Sequence, residues 1–301
     1  MHPASTRRLL LSVTAAVAVA ALPGCGAQPD GAAPHSPAGA PTAAKSPVLS
    51  AANPPTTDPR LIAQRANVPV LCFHQIRDWR ASDSPGDRGI ITPPTVLARQ
   101  IDQLARAGFT PITDDALYAH LTTGSAPPPK PILLTFDDGS ESQVANALPI
   151  LERHHFPATF FVMTVVLDKQ NWITRQQVKA LPTKSVTIGS HTYDHHAVTG
   201  YYGTVFQVQL VQPRELLSRI VGRPVTDFAY PYGSWRHSSL PHVRAAGYRM
   251  AFGLDTAADS TDPLHSYPRR IVPPTWTEPQ LLAAVARAAH PTSIGAEGGG
   301  D

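Results

Sequence analysis

Beyond residue 68 the sequence alternates short apolar runs with amphipathic stretches, and that alternation leaves few folds open. Residues 68–73, 111–112, 131–136, 158–162, 186–189, 227–230, 250–254 and 270–272 read as strands. Between and after them, residues 93–108, 114–121, 141–155, 205–221, 238–246 and 278–289 read as helices. In the first of these helices Val96, Leu97, Ile101 and Leu104 share one side, with Pro94 near the start and Gly108 at the end. Repeated βα units predict a parallel sheet covered by helices. Seven or eight of them predict a barrel, with functional loops at the carboxyl ends of its strands.

The start of the chain has a different character. Arg7 and Arg8 precede an apolar stretch from Leu9 to Leu22, the pattern of an export signal over residues 1–24. Leu22-Pro23-Gly24-Cys25 resembles a lipobox, which predicts a lipidated Cys25 anchored to the membrane and an extracytoplasmic protein. The apolar stretch is short for a membrane-spanning helix. Residues 25–60 are rich in Ala, Pro, Gly, Ser and Thr and are expected to form an extended tether. The functional domain is then expected over 61–290, with a Gly-rich disordered tail at 291–301.

Composition excludes some classes. The formal charge is +3 over 301 residues without a dense Lys/Arg block, which argues against a nucleic-acid partner. With two distant cysteines there is no zinc-ligand spacing, and Cys72 reads as a buried, inert thiol.

Three chemically loaded stretches fall at expected strand ends: 135–139 (Thr-Phe-Asp-Asp-Gly), 189–196 (Gly-Ser-His-Thr-Tyr-Asp-His-His) and 228–235 (Phe-Ala-Tyr-Pro-Tyr-Gly-Ser-Trp). Neighbouring aspartates on a strand point to opposite faces, so Asp137 and Asp138 converge only where the strand breaks. Two close carboxylates repel unless a cation or a shared proton reconciles them. One Asp and two His form a three-ligand set with open positions for water and substrate. His195 and His196 compete for the second histidine place. Each stretch alone has a plain structural reading, as a helix cap or a proline-fixed turn. Together, in this order, they are a strong signal for a metal site in which one Asp binds the ion and the other stays free as a base.

The chain resembles the polysaccharide deacetylases of the NodB-homology family over roughly residues 68–275. The family's Thr-Phe-Asp-Asp-Gly motif is unchanged, and its His-Ser/Thr-x-x-His motif is met by His191 to His195. Its Arg-x-Pro-Tyr-Gly motif is met in part, because Ala229 stands where the arginine would be. Phe-Ala-Tyr-Pro-Tyr-Gly and Val-Pro-Val-Leu-Cys-Phe-His-Gln-Ile at 68–76 are similar to the branch that deacetylates poly-N-acetylglucosamine.

The resemblance implies a distorted, TIM-like (β/α) barrel and a divalent ion, usually zinc, held by Asp138, His191 and His195. It implies Asp137 as general base and the Tyr232 backbone N–H as oxyanion donor. The family's C-terminal Leu-x-His acid is missing, so His74 at the end of the first strand is the candidate acid, with His265 as the alternative. Arg270 is the candidate replacement for the motif arginine. The expected reaction removes N-acetyl groups from N-acetylglucosamine units of an exopolysaccharide or of wall peptidoglycan. A glycan-binding protein without turnover, or an O-acetyl esterase acting on wall polysaccharide, are the alternatives. Trp235 and Tyr232 are candidate sugar-stacking rings, whereas Trp172 and Trp276 are assigned to core or rim.

Overall fold

A computed structural model describes residues 54–289. The leader, the lipobox Cys25, most of the tether and the Gly-rich tail lie outside the described residues. The elements in chain order are α1 (Pro59–Arg65), β1 (Val70–Phe73), α2 (Pro85–Ile90), α3 (Pro94–Arg106), β2 (Thr110–Pro111), α4 (Asp114–Thr123), β3 (Pro131–Phe136), α5 (Leu148–Arg153) and β4 (Ala158–Val162). They continue as α6 (Arg175–Ala180), β5 (Val186–Ser190), α7 (Gln212–Val221), β6 (Asp227–Ala229), α8 (Leu240–Ala245), β7 (Met250–Phe252), β8 (Arg270–Ile271) and α9 (Glu278–Ala289).

Every strand pairing is parallel, in the order β7-β6-β5-β4-β3-β1-β8, with β2 paired to β3 off this path. The register sets Phe73 of β1 beside Phe136 of β3, and Phe136 beside Phe160 of β4. One extended segment, residues 267–271, joins the two ends of this order. Its Tyr267 bridges Phe252 of β7, and its Arg270 and Ile271 pair with Leu71 and Cys72 of β1. The sheet therefore curls into the distorted (β/α) barrel that the alternation predicts.

Alternation along the strands sorts side chains into two layers. Leu71, Phe73, Leu134, Phe136 and Phe160 face the surrounding helices, among them α3 and α5. Val70, Leu133, Phe161, Met250 and Phe252 belong to a second cluster, which Ile62 of α1 with Leu117 and Leu121 of α4 complete. Each such fully buried Leu or Phe side chain contributes on the order of 1.5–3 kcal/mol. Among the described residues no helix is long and apolar enough to cross a membrane.

The helices depart from the expected spans in informative ways. The expected helix over 141–155 enters α5 through a wide turn, Gln143–Ala147, in which the Leu148 N–H reaches back five residues to the Gln143 carbonyl. The expected helix over 205–221 does the same at Gln207–Val211, where the Gln212 N–H bonds the Gln207 carbonyl. In both cases the next residue is a proline, Pro149 or Pro213, which has no N–H to continue the ordinary ladder. Three helices went unpredicted, α1, α2 and α6. The last two open with a capping box, Ser84 with Asp87 and Thr174 with Gln177, a signal that was present in the sequence.

Candidate active site

Leu133, Thr135 and Asp137 alternate onto the inner side of β3, and the chain then turns sharply. Asp138 (φ 77°) and Gly139 (φ 81°) both adopt left-handed backbone, so the turn begins one residue before the glycine. The second stretch turns at Thr192 and His195, each at φ 68°, and the third at Tyr232 (φ 59°) and Gly233 (φ 65°). Four of the ten non-glycine residues with positive φ among those described thus lie in this one place. Each such residue costs of order 1–3 kcal/mol, and strain of this kind concentrates at functional sites. Gly233 is obligatory here, since a Cβ would sit 2.3 Å from Leu254 Cβ.

These turns bring Asp138, His191 and His195 together. Asp138 Oδ1 is 3.4 Å from Nε2 of each histidine. It is buried and has no hydrogen-bond partner. His191 Nδ1 lies 2.8 Å from the Ala229 carbonyl, which can only accept, so Nδ1 carries the proton and Nε2 offers its lone pair. Two ligand atoms each about 2.0–2.2 Å from a tetrahedral ion stand about 3.3–3.6 Å apart. The orphaned carboxylate oxygen, the histidine tautomer and the spacing fit a divalent cation. His196 takes no part in this group: it is 74% exposed along its side chain and pairs with Asp194 at 2.6 Å.

Asp137 sits beside this trio but is engaged differently. Arg269 Nη1 and Nη2 donate to its two carboxylate oxygens, each at 2.7 Å, and Arg269 Nη1 also donates to Thr135 Oγ1 at 3.1 Å. The Arg269 guanidinium lies 5.3 Å from the centre of the Phe161 ring. Burial would raise the Asp137 carboxyl, but the Arg269 and His191 charges and the Arg269 hydrogen bonds outweigh it and hold it well below the usual range. Arg270, the expected partner, instead pairs with Asp255 at 2.8 Å, with both side chains 43% exposed. The expectation missed by one residue, because alternation along the closing segment turns 269 inward and 270 outward.

Asp138 is likewise lowered: burial opposes, and the neighbouring His191 and His74 imidazoles prevail. His191 is raised despite burial, through Asp137 and Asp138, whereas burial and the His191 charge lower His195.

His74, Cys72 and Asp137 place one donor atom each within 4.8 Å of one another. The His74 Nδ1 is buried without a hydrogen-bond partner. The Gln143 side-chain amide donates to the His74 carbonyl (3.0 Å) and to the Asp137 carbonyl, tying the two strand ends together. The Cys72 thiol, pushed up by burial, points at Asp137 Oδ2 from 3.5 Å. It is buried, as expected, but it borders the site.

His265 lies elsewhere. Its ring nitrogens face Asp262 Oδ1 (2.7 Å) and the Tyr248 carbonyl (3.0 Å), and Tyr248 precedes the amino end of β7. That is the end of the barrel away from the motif loops, so His265 drops out as an acid for this site. Tyr232 is 69% exposed and its ring meets that of His195 edge-on, with centroids 4.5 Å apart. Trp235 is partly buried, its indole N–H donating to Thr256 Oγ1 at 3.3 Å. Trp276 packs partly buried on the outer core. Gln143 and Arg269 were not anticipated; Gln143 gave no sequence signal, whereas Arg269 is legible once the strand register is known.

Comparison with known proteins agrees with this geometry. Residues 124–251 match the family model described as polysaccharide deacetylase. YxkH of Bacillus subtilis (strain 168) is 25% identical over 197 residues, covering 65% of this chain and 68% of that protein. The poly-beta-1,6-N-acetyl-D-glucosamine N-deacetylase of Staphylococcus aureus (strain MRSA252) is 26% identical over 160 residues, covering 48% of this chain. The match spans 55% of the length of that enzyme. In fold, the Streptococcus pyogenes deacetylase PplD, solved with acetate, superposes with a TM-score of 0.65 at 21% identity, covering 72% of this chain and 97% of PplD. All three motifs, gathered on one barrel face, lie within residues 124–251, the stretch that matches the polysaccharide deacetylase family model, and the chain is similar to that family.

Proposed function

We propose that this protein is a divalent-metal-dependent hydrolase that removes N-acetyl groups from N-acetylglucosamine units of an extracytoplasmic polysaccharide. The observation that carries the reading is the orphaned Asp138 Oδ1, 3.4 Å from two histidine nitrogens and next to a buried, charge-paired Asp137. Asp138, His191 and His195 would hold the ion, and their nitrogen and oxygen donors suit zinc. When bound, the ion supplies Lewis acidity toward the acetamide carbonyl and toward water.

The remaining work falls to the chain. Arg269 keeps Asp137 ionised while burial keeps it dry, so a carboxylate acceptor stands ready for the proton of the attacking water. The Tyr232 N–H follows Pro231, which has no N–H to offer, and is assigned to the developing oxyanion. His74, with its unpartnered buried nitrogen, is assigned the proton given to the departing amine.

The substrate assignment is supported by the S. aureus relative, a poly-beta-1,6-N-acetyl-D-glucosamine N-deacetylase. The leader and Cys25 support a lipid-anchored position outside the cytoplasmic membrane, with residues 61–290 as the working domain at the end of a tether. Ala229, where the family motif has arginine, favours a non-catalytic glycan binder. Arg269 reaching Asp137 from another strand answers that objection.

The test is acetate release from β-1,6- and β-1,4-linked N-acetylglucosamine oligomers by the purified protein, with zinc, with chelator, and as Asp137→Asn. Release should need the metal and fall at least about 100-fold in Asp137→Asn. Release at full rate in chelator, or one indifferent to Asp137→Asn, would overturn the reading, and release from acetyl esters alone would replace it with an O-acetyl esterase.

A further inference from the structure

A groove of about 400 Å³ is built on the continuations of the two loops that carry His195 and Tyr232. One wall is Thr199, Tyr201, Tyr202 and Phe206, from the stretch after His195; the other includes Ser238 and His242, from the stretch after Tyr232. The Tyr201 hydroxyl donates to the His196 carbonyl at 2.7 Å, so this wall is tied to the motif loop itself. Phe206 and His242 stack at 3.8 Å between ring centroids with 15° between their planes, which joins the two walls. Tyr202 is 78% exposed.

The lining says what kind of molecule fits. It holds aromatic faces and hydroxyls, and no Asp, Glu, Lys or Arg. A phosphate or other strongly charged ligand has no counter-charge there. A pyranose ring has the complementary surface: a face of C–H groups that packs on an aromatic ring, and a rim of hydroxyls that exchanges hydrogen bonds with Ser, Thr and Tyr. The size also suits, since pockets for small organic ligands measure about 300–1,000 Å³. A polysaccharide does not end at the unit being deacetylated, so its neighbouring units must cross the surface that adjoins the site.

We infer that this groove is a subsite for a pyranose unit of the polymer, displaced along the chain from the unit at Asp138, with Tyr202 as its stacking platform. This rests on the function proposed above and extends it, from the scissile acetyl group to the polymer that carries it.

The test uses the full-length protein with Tyr202→Ala and Tyr202→Trp, and titrates N-acetylglucosamine oligomers of increasing length by calorimetry, with acetate release measured alongside. In the parent, affinity should rise with length. Tyr202→Ala should weaken binding of the long oligomers roughly three- to tenfold, and Tyr202→Trp, which keeps a stacking face, should restore it. The loss should be confined to oligomers long enough to reach the groove. Tyr202→Ala binding long oligomers as well as the parent does, or parent affinity flat with length, would overturn the inference. Length-dependent binding lost in Tyr202→Ala without acetate release from any substrate would sustain the subsite and count against the deacetylase.

Discussion

Arg269 and Asp137 meet through two parallel N–H···O bonds of 2.7 Å, with both side chains sealed from solvent. Removing one partner of such a pair leaves a buried charge without compensation, at a cost of about 3–5 kcal/mol. Arg269→Met should lower stability by about that much, while Arg270→Met, which breaks only the half-exposed pair with Asp255, should cost no more than about 1 kcal/mol. Urea unfolding midpoints of the two variants check this. The sign with pH follows from the lowered Asp137 carboxyl. The stability drawn from this pair is complete above the ordinary carboxylate value of about 4 and is lost as pH falls toward the folded-state value.

His195 and His196 should separate cleanly in metal binding. His195 Nε2 stands 3.4 Å from Asp138 Oδ1, whereas His196 is turned outward onto Asp194. Zinc titration against a competing chelator should show His195→Ala losing at least about 100-fold in affinity, with His196→Ala within about threefold of the parent.

Gly189 is held by its neighbours rather than by its backbone angles. A Cβ there would lie 2.3 Å from the Phe161 ring and 3.1 Å from the Asp227 carbonyl. Gly189→Ala should therefore cost about 1–3 kcal/mol by overpacking. Because position 189 precedes His191 by one strand repeat, metal affinity should fall as well. Thermal unfolding with and without zinc measures both effects.

At the opposite end of the barrel, the Arg249 guanidinium serves three carboxylates, with Asp115 at 2.6 Å, Asp227 at 2.9 Å and Asp114 at 3.5 Å. Asp114 is fully buried, and burial together with the Asp227 charge raises its carboxyl well above the ordinary value. A carboxyl raised in the folded state stabilises the fold in its protonated form, so its contribution weakens as pH climbs from below the ordinary value through the folded one. Asp114→Asn imitates the protonated form. It should raise the melting temperature at neutral pH, and the gain should vanish near pH 3.

Much of the fold was readable because burial on both sides forces parallel strands to be nearly continuous apolar runs. The runs 158–162 and 131–136 coincide with β4 and β3 for that reason. The site was readable because its chemistry needs particular residue types at strand ends. What was missed depends on geometry that a string of residues does not carry. Choosing Arg270 over Arg269 required knowing which residues of the closing segment face inward, and two pairings with β1 at its far end decide that. Gln143 contributes through a side chain aimed at two carbonyls, one of them just past the end of β1, 69 positions earlier in the chain. The wide turns in front of Pro149 and Pro213 are departures that a simple rule would have flagged, since each proline removes a donor from a helix interior. The capping boxes of α2 and α6 are others.

The first of those wide turns reaches further than its own helix. A turn that holds one residue more than the α-helical count stores about 100° of rotation, and Pro149 keeps it stored because it cannot donate the bond that would tighten the coil. Gln143 begins that turn, and its single amide spans the ends of β1 and β3. The distance between His74 and Asp137 is thereby governed by a helix as well as by the sheet. An imino ring six residues along the chain thus bears on where the ends of two neighbouring strands sit, through the one glutamine amide that bridges them.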